Sequence, residues 1–429
     1  MSRLSGVRGF HDVLPPQSER FHRIERNLCT VLDSYNYVEI RTPIAERAEL
    51  FARSLGEATD IVEKEMYTFE DRDGTMLTLR PECTASVVRA AIEGGLAGRD
   101  RVAKLYYLGP MFRRERPQKG RLRQFHQIGV EVLGREDALA DAEVVTLLMD
   151  CLAAAGLRDV KLILNSLGDA TCRPGYRAAL EAYGRTHHEA LCETCKRRLE
   201  RNPLRLLDCK EESCRALMAD APRLREHLCD ECRTHFDDVE RLLTAAGIEF
   251  TVDPTLVRGL DYYVRTAFEV IAPGLGAQNA VGGGGRYDGL VAALGGAPVG
   301  GIGFAIGLER LLMSAGVQGE DATPEMCVIP LTVAAAAPAL QLARVLRGTG
   351  ARCELETAGR SVKSAMRRAD KLGVRFALLV GDAEMEAGRA TVRDMQRQAD
   401  HPLAIGFGAD GLTTAAAIRA LGEGEARGG

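Results

Sequence analysis

The chain has 429 residues, too many for one ordinary hydrophobic core, so two or three domains are expected. Apolar residues make up 46%, charged residues 27%, and the net charge is −4. That is globular composition without the bulk positive charge that draws a protein to nucleic acid or an acidic membrane, so any polyanion must be met by a local patch. The opening MSRLSGVRGFHDVLPP lacks the apolar run of a signal peptide, and no later stretch is long and apolar enough to span a bilayer. A soluble, cytoplasmic protein follows, and its twelve cysteines are then thiols or metal ligands rather than disulfides.

In chain order, PQSERFHRIERNLCTVLDSYNY has helical periodicity with prolines at its start. YVEIRTPI predicts a strand ending at Pro43, and TMLTLRPE a second. TASVVRAAIEGG predicts a helix closed by glycine, and RVAKLYYLGPMFRRE a third strand. From Leu167 to Leu243 the chain turns helical and arginine-rich and holds seven of the twelve cysteines, which marks residues 167–243 as an insertion. Strand patterns resume at IEFTVDPTLVRGLDYYVRTAFEVIA. A glycine-dense stretch, VGGGGRYDGLVAALGGAPVGGIGFAIG, leads into the helix LERLLMSAG. VQGEDATPE has linker composition. Beyond it strands and helices alternate, the pattern of a small α/β domain with largely parallel strands. The expected division is a domain over 1–316 interrupted by the insertion, a linker over 317–325, and an α/β domain over 326–429.

The stretch RRERPQKGRLRQFHQIGVEVLG, Arg113 to Gly134, opens with six cations in eleven residues and one opposing carboxylate, Glu115. Read as two strands joined at RPQKG, it places Arg121, Arg123, Phe125, Gln127, Gly129 and Glu131 on one face, and Ile128, Val130 and Val132 on the other. The first face is a graded row. Arginines suit phosphate oxygens, a phenylalanine face suits a purine, and a carboxylate suits a cationic or N–H-bearing group. A solvated hairpin with ordinary surface charge is the competing interpretation. GGGG followed by RYDG permits close backbone approach to a ligand, and Arg310 falls in the first turn of the next helix, where N–H groups and the dipole favour anions.

These residues together resemble the histidyl-tRNA synthetase family of class II aminoacyl-tRNA synthetases, over essentially the whole chain. The Arg113–Gly134 stretch resembles the second motif of the class, GIGFAIGLERLL the third, and EIRTPI the first. RGLDYY, Arg258 to Tyr263, matches a signature of the histidyl family, and RGFHDVLP and LTLRPECTA resemble further family blocks. The resemblance implies an α+β fold: a catalytic domain built on an antiparallel sheet, a helical insertion and a C-terminal α/β anticodon-binding domain. It implies activation of L-histidine by ATP with Mg²⁺, followed by transfer to tRNA(His) by a homodimer whose interface includes the Pro43 region. Arg113 and Arg258 would act at the α-phosphate, and Arg121 and Arg310 on the outer phosphates. Phe125 would stack on adenine, with Glu115 at its amino edge. Glu82, Cys83, Thr84 and Gln127 would surround the substrate's amino group. Glu131, Tyr262 and Tyr263 would meet the imidazole, with Tyr263 expected on the ligand side because adjacent strand residues face opposite ways. Arg116 and Gln118 would reach the tRNA acceptor end. Cys83 departs from the small residue, often glycine, that the family commonly has there.

Arg360, Lys363, Arg367, Arg368 and Lys371 on the helix of the α/β domain suit phosphate contact, or simply a solvated face. In the insertion, Cys192 with Cys195 and Cys229 with Cys232 form two C-x₂-C pairs that offer four thiolates to a structural Zn²⁺. Cys209 and Cys214 are a competing pair, and packed free thiols are the bland alternative. A second function fits the same fold: a non-catalytic, histidine-binding regulatory subunit of the first phosphoribosyltransferase of histidine synthesis. That class usually lacks the terminal domain and parts of the ATP-facing motifs.

Overall fold

The computed structural model describes residues 4–56, 59, 61–98, 100–118, 120–207, 209, 211–257, 260–273, 275, 279–315, 323–404 and 418. They divide into two units, Met1–Gln318 and Gly319–Gly429.

The first unit is built on an eight-stranded sheet. Its strands run, across the sheet, Val38–Glu39, Ala103–Phe112, Gln124–Leu133, Gly301–Gly307, Ala280–Arg286, Val264–Ile271, Lys161–Ser166 and Thr251–Val252. The six central strands are antiparallel neighbours, and the short strand at each edge pairs parallel, so the sheet is mixed rather than purely antiparallel. The strand expected over YVEIRTPI shrinks to Val38 and Glu39, because the chain then leaves toward the three-stranded sheet of Ala45–Arg47, Met76–Leu79 and Tyr67–Glu70.

The pleat of Gln124–Leu133 sorts its side chains as the pattern predicts. Ile128, Val130 and Val132 enter one core with Val144, Leu148 and Leu152 of the helix Ala138–Ala154. That helix is apolar around most of its circumference because it lies between the sheet and the helices Gln17–Ser34 and Asp230–Ala245. Asp137 caps it, its side chain accepting the Ala140 N–H at 3.1 Å.

A charged cluster crosses this core. Arg286 and Asp141 are both fully buried and form a forked ion pair, with Nε of Arg286 3.0 Å from Oδ1 of Asp141. Arg286 also reaches Asp288 at 2.8 Å and the Arg135 carbonyl at 2.9 Å, while His235 Nε2 lies 2.8 Å from Asp141 Oδ2. The cluster ties the glycine-rich strand to two helices. Between Ser166 and Thr251 the chain is helical, as Arg173–Thr186, Glu193–Arg201, Glu212–Met218 and Asp230–Ala245 with 3₁₀ turns between.

The second unit holds a five-stranded sheet ordered Cys353–Leu355, Met326–Pro330, Phe376–Val380, Arg389–Asp394, Ala399–Ala404. The first three strands are parallel and the last two antiparallel. The helices Ala336–Gly348 and Val362–Lys371 supply apolar residues to its two core clusters. Ser361 caps the second helix by accepting from the Ser364 N–H.

Burial alone would raise the Asp141 carboxyl, but His235 and Arg286 outweigh it and hold it below the ordinary carboxylate range. The stability this contributes is present above the unfolded carboxyl value and is lost as pH falls through the lower folded value. Asp141→Ala strips buried Arg286 of its fully buried partner and leaves it Asp288 alone among carboxylates of the described residues, so it should cost about 3 kcal/mol, read from the urea midpoint by far-ultraviolet circular dichroism. A midpoint unchanged from the parent would remove the cluster from the stability of the core.

Candidate active site

The face of the sheet opposite the helices lines a cavity of about 430 Å³. Glu131 lies at one end, 1% exposed. Its Oε1 accepts from Thr84 Oγ1 at 2.7 Å, and the Tyr287 hydroxyl donates to Oε2. Burial pushes its pKa up to about 8; the two hydroxyls oppose that rise, and nearby Glu82 adds to it. Gly303 stands directly opposite Glu131 in the ladder, where a Cβ would run into the carboxylate. A Cβ on Gly285 would come within 2.8 Å of the Tyr263 ring. The glycine strands thus form a bare floor on which large polar side chains lie flat.

Glu82 borders this end and also caps a helix. Its two oxygens accept the N–H groups of Thr84 at 2.6 Å and Ala85 at 3.0 Å, at the start of Thr84–Glu93. Burial raises its pKa while those N–H groups and Arg113 pull it down. Gln127 Oε1 is buried with no hydrogen-bond partner among the described residues. Tyr262 and Tyr263 both line the cavity with rings 4.6 Å apart. The expectation that one of them faces away fails for a local reason: they sit at a turn before the strand Val264–Ile271, so strand alternation does not apply. Asp261 points elsewhere, to Asn202 and Arg205, each 3.5 Å away.

At the other end Arg113, Glu115, Arg121, Phe125 and Arg310 all line the cavity. Arg113 lies over the Phe125 ring at 5.3 Å and donates to the Pro81 carbonyl at 2.9 Å. Arg121 pairs with Glu115 at 2.8 Å. Arg310 donates to the carbonyls of Gly120 at 2.9 Å and Ala280 at 2.8 Å, tying the loop tip to the glycine strand. Burial and the neighbouring Arg121 and Arg113 hold its pKa below the usual value, with Glu115 opposing. Three guanidinium groups therefore converge on one space, the electrostatics of a polyanion site.

The second strand begins only at Gln124, so the alternation expected to carry Arg121 and Arg123 stops short of them. Arg123 leaves the row: its Nε donates to the Glu115 carbonyl at 3.2 Å, and its stem packs against Gly9. Arg116 and Gln118 are exposed on the loop between the strands. Cys83 gives the cavity no side chain, because its thiol is buried against Thr42 at 3.4 Å and burial pushes its pKa up to about 12. Arg258 lies outside the described residues.

The four thiols expected at one metal do not meet. Cys192 and Cys195 face Cys209 and Cys214, whereas Cys229 and Cys232 face Asp169 and Cys172. The two C-x₂-C pairs begin different helices and so converge on different points.

Sequence reasoning passed over Tyr287 and Tyr107, both in the cavity wall. Tyr287 belongs to the RYDG that follows the four glycines, and an aromatic hydroxyl two residues after them was the available signal. It also passed over Glu309, which accepts the His126 N–H at 3.0 Å and holds the strand Gln124–Leu133 to the helix Leu308–Ser314.

Residues 9–311 match the family model for histidyl-tRNA synthetase, and residues 325–412 the model for an anticodon-binding domain. A histidine–tRNA ligase of Trichlorobacter lovleyi is 49% identical over 98% of this chain and 99% of its own length. The apo histidyl-tRNA synthetase of S. aureus shares 36% identity at a TM-score of 0.78, covering 94% of this chain and 97% of its own. A protein of Bacillus halodurans described as an ATP phosphoribosyltransferase regulatory subunit/histidyl-tRNA synthetase, 22% identical at a TM-score of 0.65 over 89% of this chain and 99% of its own, shares the fold. The chain belongs to the histidyl-tRNA synthetase family, the class II histidine–tRNA ligases.

Proposed function

We propose that the chain joins L-histidine to ATP as histidyl-adenylate, releasing pyrophosphate, and then passes the histidyl group to the 3′ end of tRNA(His). The observation that carries this reading is the polarity of one cavity: a buried carboxyl among hydroxyls at one end, three converging arginines at the other. Glu131 and Tyr263 select the imidazole with Tyr262 beside them, because a site built of buried polar groups rejects ligands that leave them unpaired. Gln127, with its unpartnered oxygen, joins Glu82 and Thr84 around the α-ammonium group. Phe125 stacks on adenine.

In the first step the histidine carboxylate attacks the α-phosphorus. The new carboxyl–phosphorus bond forms as the bond to pyrophosphate breaks. Arg113 and Arg258 offset charge at the α-phosphate, and Arg121 and Arg310 offset it on the leaving group. Glu115 turns from Arg121 toward the adenine amino edge. The protein's contribution is positioning and fixed charge. Mg²⁺ supplies further charge offset on the triphosphate; Glu269 lines this end and offers the oxygen donor that such a cation takes. Arg116 and Gln118 on the exposed loop reach the acceptor end, and the anticodon-binding domain engages the other end of the tRNA. We further propose a cytoplasmic homodimer joined near Pro43, where Val38 and Ile44 leave apolar surface exposed. The regulatory reading loses ground because the chain carries the anticodon-binding module and the arginines that the regulatory class tends to lose.

Only histidine among the twenty amino acids should drive strong exchange of pyrophosphate into ATP; equal exchange with another would sink the assignment. Arg113→Ala and Arg258→Ala should each lower single-turnover adenylation roughly 10²–10³-fold with the fold intact. Near-normal rates would remove either residue from the mechanism.

The pH dependence has a fixed sign. Below about pH 8 the empty site holds Glu131 protonated. Neutral histidine needs a carboxylate to accept its imidazole N–H, so binding drives a proton off Glu131. Affinity should rise from about pH 6.5 to 8, by up to about tenfold per unit. Calorimetry in buffers of different ionisation enthalpy should show the proton released, and Glu131→Gln should bind weakly with no such rise. For folding the same shift runs the other way: the empty protein loses stability as pH climbs from the ordinary 4.5 toward 8.

In the second unit Arg368 pairs with Glu354 and Glu356, and Arg360 with Glu356, whereas Lys363 and Arg367 are exposed on the helix Val362–Lys371. Lys363→Ala with Arg367→Ala should weaken tRNA charging, measured as KM for tRNA, and leave pyrophosphate exchange unchanged. Parallel losses in both assays would contradict the division of labour between the units.

A further inference from the structure

The cysteine-rich segment holds two groups of four donors, each with all donor atoms within 4.8 Å of one another. Cys192, Cys195, Cys209 and Cys214 form the first; Asp169, Cys172, Cys229 and Cys232 form the second. We propose that each group binds one structural Zn²⁺, so that the chain carries two zinc ions at separate centres, an outer Cys₄ site and an inner Cys₃Asp site at the root of the helical segment.

The geometry distinguishes this from packed thiols and from disulfides. A tetrahedral ion with bonds of about 2.3 Å to sulfur and about 2.0–2.2 Å to a carboxylate oxygen sets edges of about 3.8 Å between sulfurs and about 3.5–3.7 Å from sulfur to oxygen. Cys192 Sγ and Cys209 Sγ lie 3.9 Å apart, and Cys172 Sγ lies 3.5 Å from Asp169 Oδ1. Disulfide bonds hold sulfurs near 2.05 Å, and all these cysteines are free. Apolar thiols scatter through a core to fill gaps. Here each set faces one point.

The backbone repeats one arrangement at both centres. Cys192 and Cys229 both stand at helix N-caps with nearly the same dihedrals, φ −66° and ψ 158° against φ −65° and ψ 163°. Their partners Cys195 and Cys232 fall in the first turn of the same helices, and the partner N–H of each donates back to the capping sulfur. The Cys192 N–H donates to Cys214 Sγ at 3.2 Å, and the Asp169 N–H to Cys172 Sγ at 3.2 Å. The outer spacing is C-x₂-C-x₁₃-C-x₄-C. Binding is acid–base chemistry with no redox change: four thiol protons leave for solvent at the outer centre and three at the inner one as the metal–sulfur bonds form. With four anionic ligands the inner centre carries excess negative charge, and Arg265 stands 3.7 Å from Asp169 to offset it.

The inner centre is linked to the cavity wall through one arginine. Its ligand Cys172 precedes Arg173, whose Nη2 donates to the Tyr263 carbonyl at 2.6 Å. Cys172 is thus a positioning residue for the Tyr262–Tyr263 turn, a step that rests on the assignment of that turn to histidine. Outer-shell support of this kind is worth about 10–100-fold in affinity or activity.

The test is elemental analysis of the full-length protein purified without chelator, expected to give about two zinc ions per chain. Cys214→Ser and Cys172→Ser should each leave about one. Cys172→Ser should raise KM for histidine by about tenfold, and by more than Cys214→Ser does, with KM for ATP near its parent value. If either variant fails to fold, cobalt exchanged into the parent protein keeps the proposal open to refutation, because it should show tetrahedral bands with charge transfer from seven thiolates, four outer and three inner. Fewer than two metal ions per chain, iron in place of zinc, or disulfides in freshly isolated protein would overturn the two-centre assignment. Loss of one zinc in Cys172→Ser without a change in histidine KM would overturn the positioning role alone. The metal count does not depend on histidine activation, so failure of one leaves the other standing.

Discussion

Glu131 carries a carboxyl group into the middle of a β-sheet, where it is 1% exposed. Burying an ionisable group there is costly unless its lone pairs are met and room exists for it. Both conditions are met by neighbouring elements. Hydroxyls of Thr84 and Tyr287 meet the oxygens, and the room comes from the absence of a side chain at Gly303 across the ladder. The glycine stretch is therefore less a flexible loop than a rigid strand stripped of side chains on the face where others must lie. Its cost is lost backbone entropy and lost packing on that face. The buried Arg286–Asp141 pair stands at the end of the same strand and anchors it to the helical layer.

The cavity divides its work by electrostatic character. At the Glu131 end burial favours neutral species, which suits discrimination: a ligand that restores the carboxylate by hydrogen bonding gains what the empty site lacks. At the arginine end repulsion among Arg113, Arg121 and Arg310 is offset in part by Glu115, Glu269 and nearby carbonyls. An anion relieves it. One chain of net charge −4 can therefore hold a strongly positive site, because field depends on local arrangement and not on the total.

Legibility followed periodicity. The two faces of Gln124–Leu133 were readable because a strand alternates and because one face had to be apolar. The strand–helix junction at Gly307 was readable from glycines followed by a periodic apolar run. Alternation misled wherever it was extended past a strand's end. Arg123 lies one residue before the strand and turns to Gly9, and Tyr262 and Tyr263 share the cavity because the chain turns there. The cysteine partners were unreadable for another reason. Pairing of C-x₂-C units depends on which helix ends meet in space, and spacing along the chain does not encode that. Asp169, as a lone carboxylate, carried no signal at all.

The helical segment between Ser166 and Thr251 is more than an appendage to the sheet. Arg173 holds the Tyr263 carbonyl, and Asn202 and Arg205 hold Asp261, so residues from two parts of the segment grip the turn that carries both tyrosines. His235 joins the Asp141 cluster from its last helix. Small helices of seven to nine residues, such as Glu193–Arg201 and Glu212–Met218, are marginal by themselves and take their order from tertiary contacts. A segment of that kind can position a cavity-facing turn only if something fixes the helices to each other. The buried leucines at Leu199, Leu206 and Leu224 supply part of that order, and they lie in the same core cluster as Tyr263 and Tyr287. Shared packing of this sort transmits a shift in the segment to the cavity wall, since a close-packed core responds to displacement as a body. Rigidity in the helical segment is therefore a condition for a fixed wall on this side of the cavity.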